Sequence, residues 1–275
     1  MVTVNTQNEV DIISHAIEFM SNKPAIAKLF AEHSLTIKKS NSYSNLAKIF
    51  QNSPNAFSLS ELTELFRLEW SPCNIERHIS HLKSGLLSGH DWHGAMPSIL
   101  HRSIQDKVRE CCDGSLSLEE YLTIGSDIFK HEYFMVATHD ICESSIILSD
   151  ETIIPPIGIK SVTDFIYNGI PYDLKVSSHP SKWQSKAGHL SVGEKKQLAL
   201  ELYEGADSER MRKVAEGCKH NWGLNRMYYL VADQDKWLES PEETVNYLIC
   251  HLSDPDNYFD IVVHNLQIHI CLIEQ

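Results

Sequence analysis

Three residues whose types could carry out hydrolytic chemistry lie close together near the middle of the chain. Asp164, Asp173 and Lys175 occur in "SVTDFIYNGIPYDLKVS", residues 161–177, which otherwise has the β-branched and aromatic composition of two short strands. Asn168-Gly169 between these strands favours a two-residue type I′ turn, because both central positions of that turn need positive φ. The segment is therefore predicted to be a β-hairpin with charged residues in its strands.

The two-residue turn also predicts which residues of the hairpin face each other. Phe165 faces Tyr172 and Asp164 faces Asp173, with the two aspartate Cβ atoms roughly 4.5 to 5.5 Å apart. Alternation places both aspartates and Lys175 on one face of the hairpin. Like charges that face each other destabilise a sheet, whereas a divalent cation such as Mg²⁺ would be held by such carboxylates. The pattern therefore predicts a Mg²⁺ site, and a structural hairpin with a surface salt bridge is the alternative.

This arrangement of residues resembles a known nuclease signature. Asp164, followed across a short hairpin by Asp173-Leu174-Lys175, resembles the PD-(D/E)xK motif of restriction-endonuclease-like proteins, with Thr163 in place of the usual proline. The resemblance implies that Asp164 and Asp173 bind Mg²⁺ and that Lys175 orients or activates the attacking water. Many members of the family carry another acid on the preceding helix. Two residues here meet that description and both stay open, Glu132 and Glu143.

The same resemblance implies an activity and a set of partners. It implies a Mg²⁺-dependent endonuclease that hydrolyses phosphodiester bonds of double-stranded DNA, most similar in kind to type II restriction enzymes. A homodimer is expected, because both strands must be cut. Two alternatives remain. One is a DNA repair, recombination or phage-defence nuclease, and the other is a non-enzymatic helix-turn-helix DNA-binding regulator.

The order of the predicted elements favours an α/β (α+β) fold. From Ser115 onward a helical stretch, a strand-rich stretch, a further helix and closing strands follow one another. This order matches the family core, a restriction-endonuclease-like mixed central sheet flanked by helices. Residues 1–110 are predicted to form a helical, DNA-recognition domain and residues 111–275 the catalytic domain.

The helical half contains two short helices with a tight break between them, within residues 57–87. Ser58 and Glu61 have the spacing of a capping box, and Ser71-Pro72 begins the second helix. The pair resembles the helix-turn-helix core of winged-helix domains, in which the second helix enters the major groove of DNA. A helical hairpin inside an all-α domain is the alternative. The predicted outward residues of the second helix are Asn74, Arg77, His78, His81 and Lys83.

The distribution of charge predicts where DNA would be held. The net charge is −13, which disfavours binding to nucleic acid over a broad surface. Five lysines against one glutamate nevertheless lie between Lys175 and Lys196. The residues of this tract predicted to contact DNA are Lys182, Gln184, Lys186, Lys195 and Lys196, with Ser177, Ser178 and His179 as further hydrogen-bonding groups.

Several other classes of protein are disfavoured by what the sequence lacks. It has no apolar run of about 18 residues and no secretory signal pattern, so a cytoplasmic protein with no membrane partner is expected. Its 7 cysteines include no CxxC pair, which is typical of reduced thiols. There is neither a Gly-x-Ser-x-Gly elbow nor a P-loop.

Overall fold

A computed structural model describes most of the chain. It covers residues 7–20, 22–35, 37–38, 42–84, 107–156, 163–215, 225–232, 234–263 and 265–275; within 124–133 and 205–215 only the backbone is described. The helices are α1 (Gln7–Phe19), α2 (Lys23–Glu32), α3 (Tyr43–Asn52), α4 (Leu59–Arg67), α5 (Ile75–Ser84), α6 (Leu118–Ser149), α7 (Val192–Ala215), α8 (Gln234–Glu239) and α9 (Pro241–His251). The strands are β1 (Phe165–Tyr167), β2 (Ile170–Ser178), β3 (Arg226–Val231), β4 (Tyr258–Val263) and β5 (Leu266–Glu274).

The five strands form one mixed sheet in the order β1-β2-β3-β5-β4. The two outer pairs are antiparallel, whereas β2, β3 and β5 run parallel. A parallel connection needs a crossover, and α7 supplies the one from β2 to β3. The predicted fold class, a mixed α/β sheet flanked by helices and preceded by a helical region, is confirmed.

Helices cover both faces of the central strands. Leu174 and Tyr229 are buried in the core under α6 and α9, whereas Tyr228 and Leu230 are buried in the core under α7. Adjacent residues of a strand point to opposite faces, so a run such as Met227–Val231 must be apolar throughout. Among the described residues, no helix combines the length and the apolar composition that a membrane span requires.

The N-terminal helices pack into a second apolar core. Phe30, Phe50 and Phe57 lie at its centre, and the predicted capping box at Ser58 and Glu61 begins α4. Packing crosses the predicted domain boundary at residue 110 in both directions. Leu82 of α5 is buried in the core under α6, and Ile166 of β1 is buried in the N-terminal core. The boundary itself stays a prediction, and residues 85–106 beside it lie outside the described residues.

One arginine of the N-terminal region caps the end of α6. Arg67 Nη2 donates to the carbonyl oxygens of Ile147 at 2.5 Å and Asp150 at 2.7 Å. Carbonyls at the C-terminal end of a helix lack donors within the helix, and the helix dipole favours a cation there. We expect Arg67→Met to lower the free energy of unfolding by about 3 kcal/mol, the loss expected for two charged hydrogen bonds. Urea denaturation measures this, with Lys28→Met as the control, since Lys28 is 81% exposed. Equal stability of the two variants would contradict the capping role.

Candidate metal centre

The hairpin that carries the charged residues forms with the predicted register. Tyr167 pairs with Ile170 and Phe165 pairs with Tyr172. Asn168 has a φ of 50° and Gly169 a φ of 73°, the positive values that a type I′ turn requires. The turn thus sets the positions of the residues that follow it on β2.

The strand pairing of the hairpin ends one residue short of Asp164 and Asp173, the two residues predicted to face each other. The ladder ends at Phe165 and Tyr172, so the predicted cross-strand pair Asp164–Asp173 is not part of it. The backbone N–H of Asp164 donates to Tyr172 O at 2.8 Å. Its carboxylate accepts the N–H of Leu174 at 2.6 Å, which satisfies a backbone donor of β2 that β1 is too short to reach.

The Asp164 carboxylate points instead to two residues of α6. His139 Nε2 lies 3.5 Å from Asp164 Oδ2, and His139 Nδ1 lies 3.7 Å from Glu143 Oε2. His139 and Glu143 are four residues apart, so they lie on one side of the helix, one turn from each other. Ligand atoms of the three residues all lie within 4.8 Å of one another. The structure therefore brings together one imidazole and two carboxylates from two elements.

The charges of this cluster are strongly coupled. Burial alone would lower the pKa of His139, but hydrogen bonds to Asp140 and Asp164 and the charge of Glu143 raise it to about 10. Burial raises the pKa of Glu143 to about 7, against the opposing effect of His139. Burial also acts to raise the pKa of Asp164, yet the hydrogen bond and charge of His139 lower it overall. Without a metal, the His139 imidazolium places a positive charge directly beside Asp164 and Glu143.

The donor set fits a divalent cation. Carboxylates suit Mg²⁺ and Mn²⁺, and imidazole suits the transition metals, so His139, Glu143 and Asp164 together fit Mn²⁺ at least as well as the predicted Mg²⁺. A metal ion would replace the proton of His139, because only the neutral imidazole is a ligand. Of the two predicted helix acids, Glu143 reaches the cluster. The side chain of Glu132 lies outside the described residues.

Asp173 lies among cations and outside this cluster. One of its oxygens is 2.7 Å from Lys175 Nζ, and the other forms an ion pair with Arg226 Nη1. Arg226 is the register partner of Asp173 on β3. Although the Lys175 side chain is partly exposed, desolvation by the surrounding protein lowers its pKa, and the nearby charge of Asp164 opposes this shift. Lys175 is therefore a cation that interacts with both Asp164 and Asp173.

The predicted DNA-binding lysine tract follows β2 at its far end. Asp173 and the end of β2 at Ser178 are separated by about 16 Å along the strand, at about 3.3 Å per residue. The side chains of the tract have partners of their own: Lys182 lies 2.9 Å from Glu201, Lys186 lies 2.6 Å from Glu194, Gln184 donates to Ala232 O, Lys195 donates to Asn257 Oδ1, and Lys196 lies over the Phe259 ring. Of the added hydrogen-bonding groups, His179 is buried, whereas Ser177 and Ser178 end β2.

The predicted recognition helix packs against the α/β core. Ile75 and Ile79 of α5 contact the core under α6, and Lys83 Nζ lies 2.5 Å from Glu242 at the start of α9. Asn74 caps the helix by accepting the N–H of Arg77 at 3.0 Å. Arg77, His78 and His81 are half-buried on α5. DNA reading by these residues stays a prediction.

Comparisons with known proteins give no match. No family model matches the chain, and neither the curated proteins nor the solved structures include a significantly similar one. The resemblance to PD-(D/E)xK nucleases therefore rests on the residues of the hairpin and on the order of the elements.

The raised pKa of His139 predicts how stability depends on pH. The folded protein holds this proton up to a pH of about 10, whereas the ordinary pKa is 6.5. The stabilisation is therefore complete below pH 6.5 and is lost as the pH rises from there to about 10. In the presence of a chelator, we expect the melting temperature to fall across this range. The fall should be smaller in His139→Gln, and identical slopes in thermal melts of the two proteins would contradict the charge assignment.

Proposed function

We propose that this protein is a divalent-metal-dependent endonuclease that hydrolyses phosphodiester bonds in DNA. The observation that carries the proposal is the convergence of His139, Glu143 and Asp164 within 4.8 Å, close enough to Lys175 for its charge to act on Asp164. A mixed set of acids and a lysine on a hairpin and the preceding helix is the pattern that the PD-(D/E)xK resemblance implies.

Each residue of the site has a distinct part in the proposed reaction. His139, Glu143 and Asp164 would hold the metal. When bound, a divalent ion would lower the pKa of a water molecule and stabilise negative charge on the phosphate. Lys175 orients the attacking water and offsets the charge that develops as the phosphodiester oxygen leaves. The N–H of Leu174 donates to Asp164 Oδ2, the oxygen that also faces His139, and so holds this carboxylate toward α6.

Double-stranded DNA is the proposed substrate, despite the net charge of −13. A duplex that enters the site also passes other parts of the surface. The tract lies beyond the end of β2, which is itself about 16 Å from Asp173, so it would meet phosphates that are several base-pair steps from the scissile one. The exposed lysines Lys182 and Lys186 are proposed to contact these distant phosphates after exchanging their glutamate partners for phosphate. A cytoplasmic homodimer that cuts both strands remains part of the proposal.

Cleavage of plasmid DNA tests the proposal directly. Purified protein is incubated with supercoiled plasmid and with linear duplex in Mg²⁺, in Mn²⁺ and in EDTA. We expect nicked and linear products with either metal and none with EDTA. Discrete fragments would favour a sequence-specific restriction enzyme, and general degradation a repair or phage-defence nuclease. DNA that is bound but stays intact with both metals would contradict the nuclease and favour the helix-turn-helix regulator.

A further inference from the structure

We infer that Asp173, which is held by Arg226, is a positioning residue that orients Lys175. The metal site is then formed by His139, Glu143 and Asp164, without Asp173. The inference rests on the proposed function and assigns the second aspartate of the motif a role different from the one its family resemblance implies. It also adds Arg226 to the site.

Both oxygens of the Asp173 carboxylate already have cationic partners. Oδ1 accepts from Lys175 Nζ at 2.7 Å, and Oδ2 is paired with Arg226. The side chains of Asp173 and Arg226 are 14% and 13% exposed, so water contributes little to solvating either charge. Two separate contacts on two oxygens fix the rotation of the carboxylate, which a single ion pair would leave free.

The backbone dictates this arrangement. Asp173 and Arg226 are direct partners in the parallel ladder of β2 and β3, and Lys175 is two residues further along the same strand. All three side chains therefore leave the same face of the sheet. The guanidinium of Arg226 also lies over the Tyr203 ring, with 5.6 Å from its carbon to the ring centroid, which restrains it from the side of α7.

Moving Asp173 to a metal ion would break this network. Arg226 would then keep a mostly buried positive charge without its carboxylate, which is strongly unfavourable. The metal would add two more positive charges close by. In contrast, Asp164, Glu143 and His139 already converge, and Asp173 is not a member of that group. The arrangement of lower free energy keeps Asp173 paired with its two cations. The metal is then bound by His139, Glu143 and Asp164.

Metal titration separates this inference from the nuclease proposal. Binding of Mn²⁺ to the full chain is measured by isothermal titration calorimetry for the wild type, Asp173→Asn and Asp164→Asn. We expect one ion per chain in the wild type. Asp173→Asn should change the affinity by no more than about threefold, the effect of one charge already compensated by neighbours. Asp164→Asn should lose at least about 100-fold, because a ligand is removed.

Kinetics then tests the positioning role. We expect Asp173→Asn and Arg226→Met each to lower kcat about 30-fold with little change in KM, within the range for residues that orient catalytic groups. Because Arg226 acts through Asp173, the double variant should be no slower than either single one. Arg226→Lys should restore part of kcat. Thermal melts of each variant show whether it is folded, and Arg226→Lys is the fallback if Arg226→Met is not.

Every other result of the metal titrations and the kinetics either overturns or supports the role of Asp173. Loss of Mn²⁺ affinity in Asp173→Asn equal to that in Asp164→Asn would overturn the inference, as would two ions in the wild type and one in Asp173→Asn. Additive kinetic losses in the double variant would also overturn it. If the wild-type protein binds no Mn²⁺, both the proposed metal centre and the inference about Asp173 are wrong. Mn²⁺ binding with the expected affinities but no DNA cleavage would support the ligand assignment while the nuclease proposal fails.

Discussion

Replacing Asp164 by asparagine is expected to lower kcat/KM for DNA cleavage by about 1000-fold or more. Asp164 is the residue that connects the two halves of the site, because it contacts His139 of α6 and the backbone of Leu174 on β2. An ion bound there would supply several kcal/mol of charge stabilisation in the transition state, and about 4 kcal/mol corresponds to a factor of 1000 in rate. Asparagine keeps an oxygen for the Leu174 N–H, so the fold should survive.

The measurement is the initial rate of duplex cleavage in Mn²⁺ across metal concentrations. Asp256→Asn is the matched control, because Asp256 is an exposed carboxylate in the short 3-10 helix Pro255–Asn257 before β4 and its replacement changes the net charge equally. We expect the control to keep wild-type rates at all metal concentrations. Full recovery of Asp164→Asn at high metal would show that the carboxylate contributes affinity alone, and rates like those of the control would remove Asp164 from the site.

The hairpin could be predicted from sequence because its geometry is local. Asn168 and Gly169 need nothing beyond their own tolerance of positive φ to select the turn, and the register of Phe165 with Tyr172 follows from it. The next residue could not be predicted in the same way. Whether Asp164 continues the strand depends on what surrounds its carboxylate, and these surroundings include His139, 25 positions earlier in the chain.

His139 and Arg226 are the two side chains of the proposed site that the sequence alone does not assign. For His139 a signal existed, since its spacing of four from Glu143 places both on one side of a helix. For Arg226 no signal existed. Its contact with Asp173 depends on the parallel register of β2 and β3, which the packing of α7 sets across more than fifty residues. Non-local pairing of this kind leaves no spacing pattern in the sequence.

The lysine tract shows a limit of reading charge along the chain. Lys182 and Lys186 follow Lys175 closely in sequence, which predicts that they line the approach of the phosphate backbone. The intervening residues are in an extended strand, however, and a strand carries the chain away from its starting point faster than any other element. The tract consequently lies at the opposite end of the parallel strands from Asp173.

Replacing Lys175 by alanine is expected to lower kcat about 100-fold while leaving Mn²⁺ affinity within about threefold of the wild type. Lys175 is 47% exposed, so its ammonium can reach a substrate, and it is held beside Asp173 at 2.7 Å. It contacts the reacting water in the proposed mechanism and is not a metal ligand. Its loss should therefore affect turnover and spare metal binding. Single-turnover cleavage and Mn²⁺ calorimetry measure the two effects separately.

Two further variants show which property of Lys175 matters. Lys28→Ala removes an exposed lysine of α2 and should keep the wild-type rate. Lys175→Arg keeps the positive charge but replaces a compact ammonium by a planar guanidinium that cannot give up a proton. If Lys175 orients and activates water, arginine should remain within about tenfold of the alanine variant. Full activity of Lys175→Arg would reduce its role to charge alone. Full activity of Lys175→Ala would contradict the assignment and would leave Arg226, which also interacts with both Asp164 and Asp173, as the cation of the site.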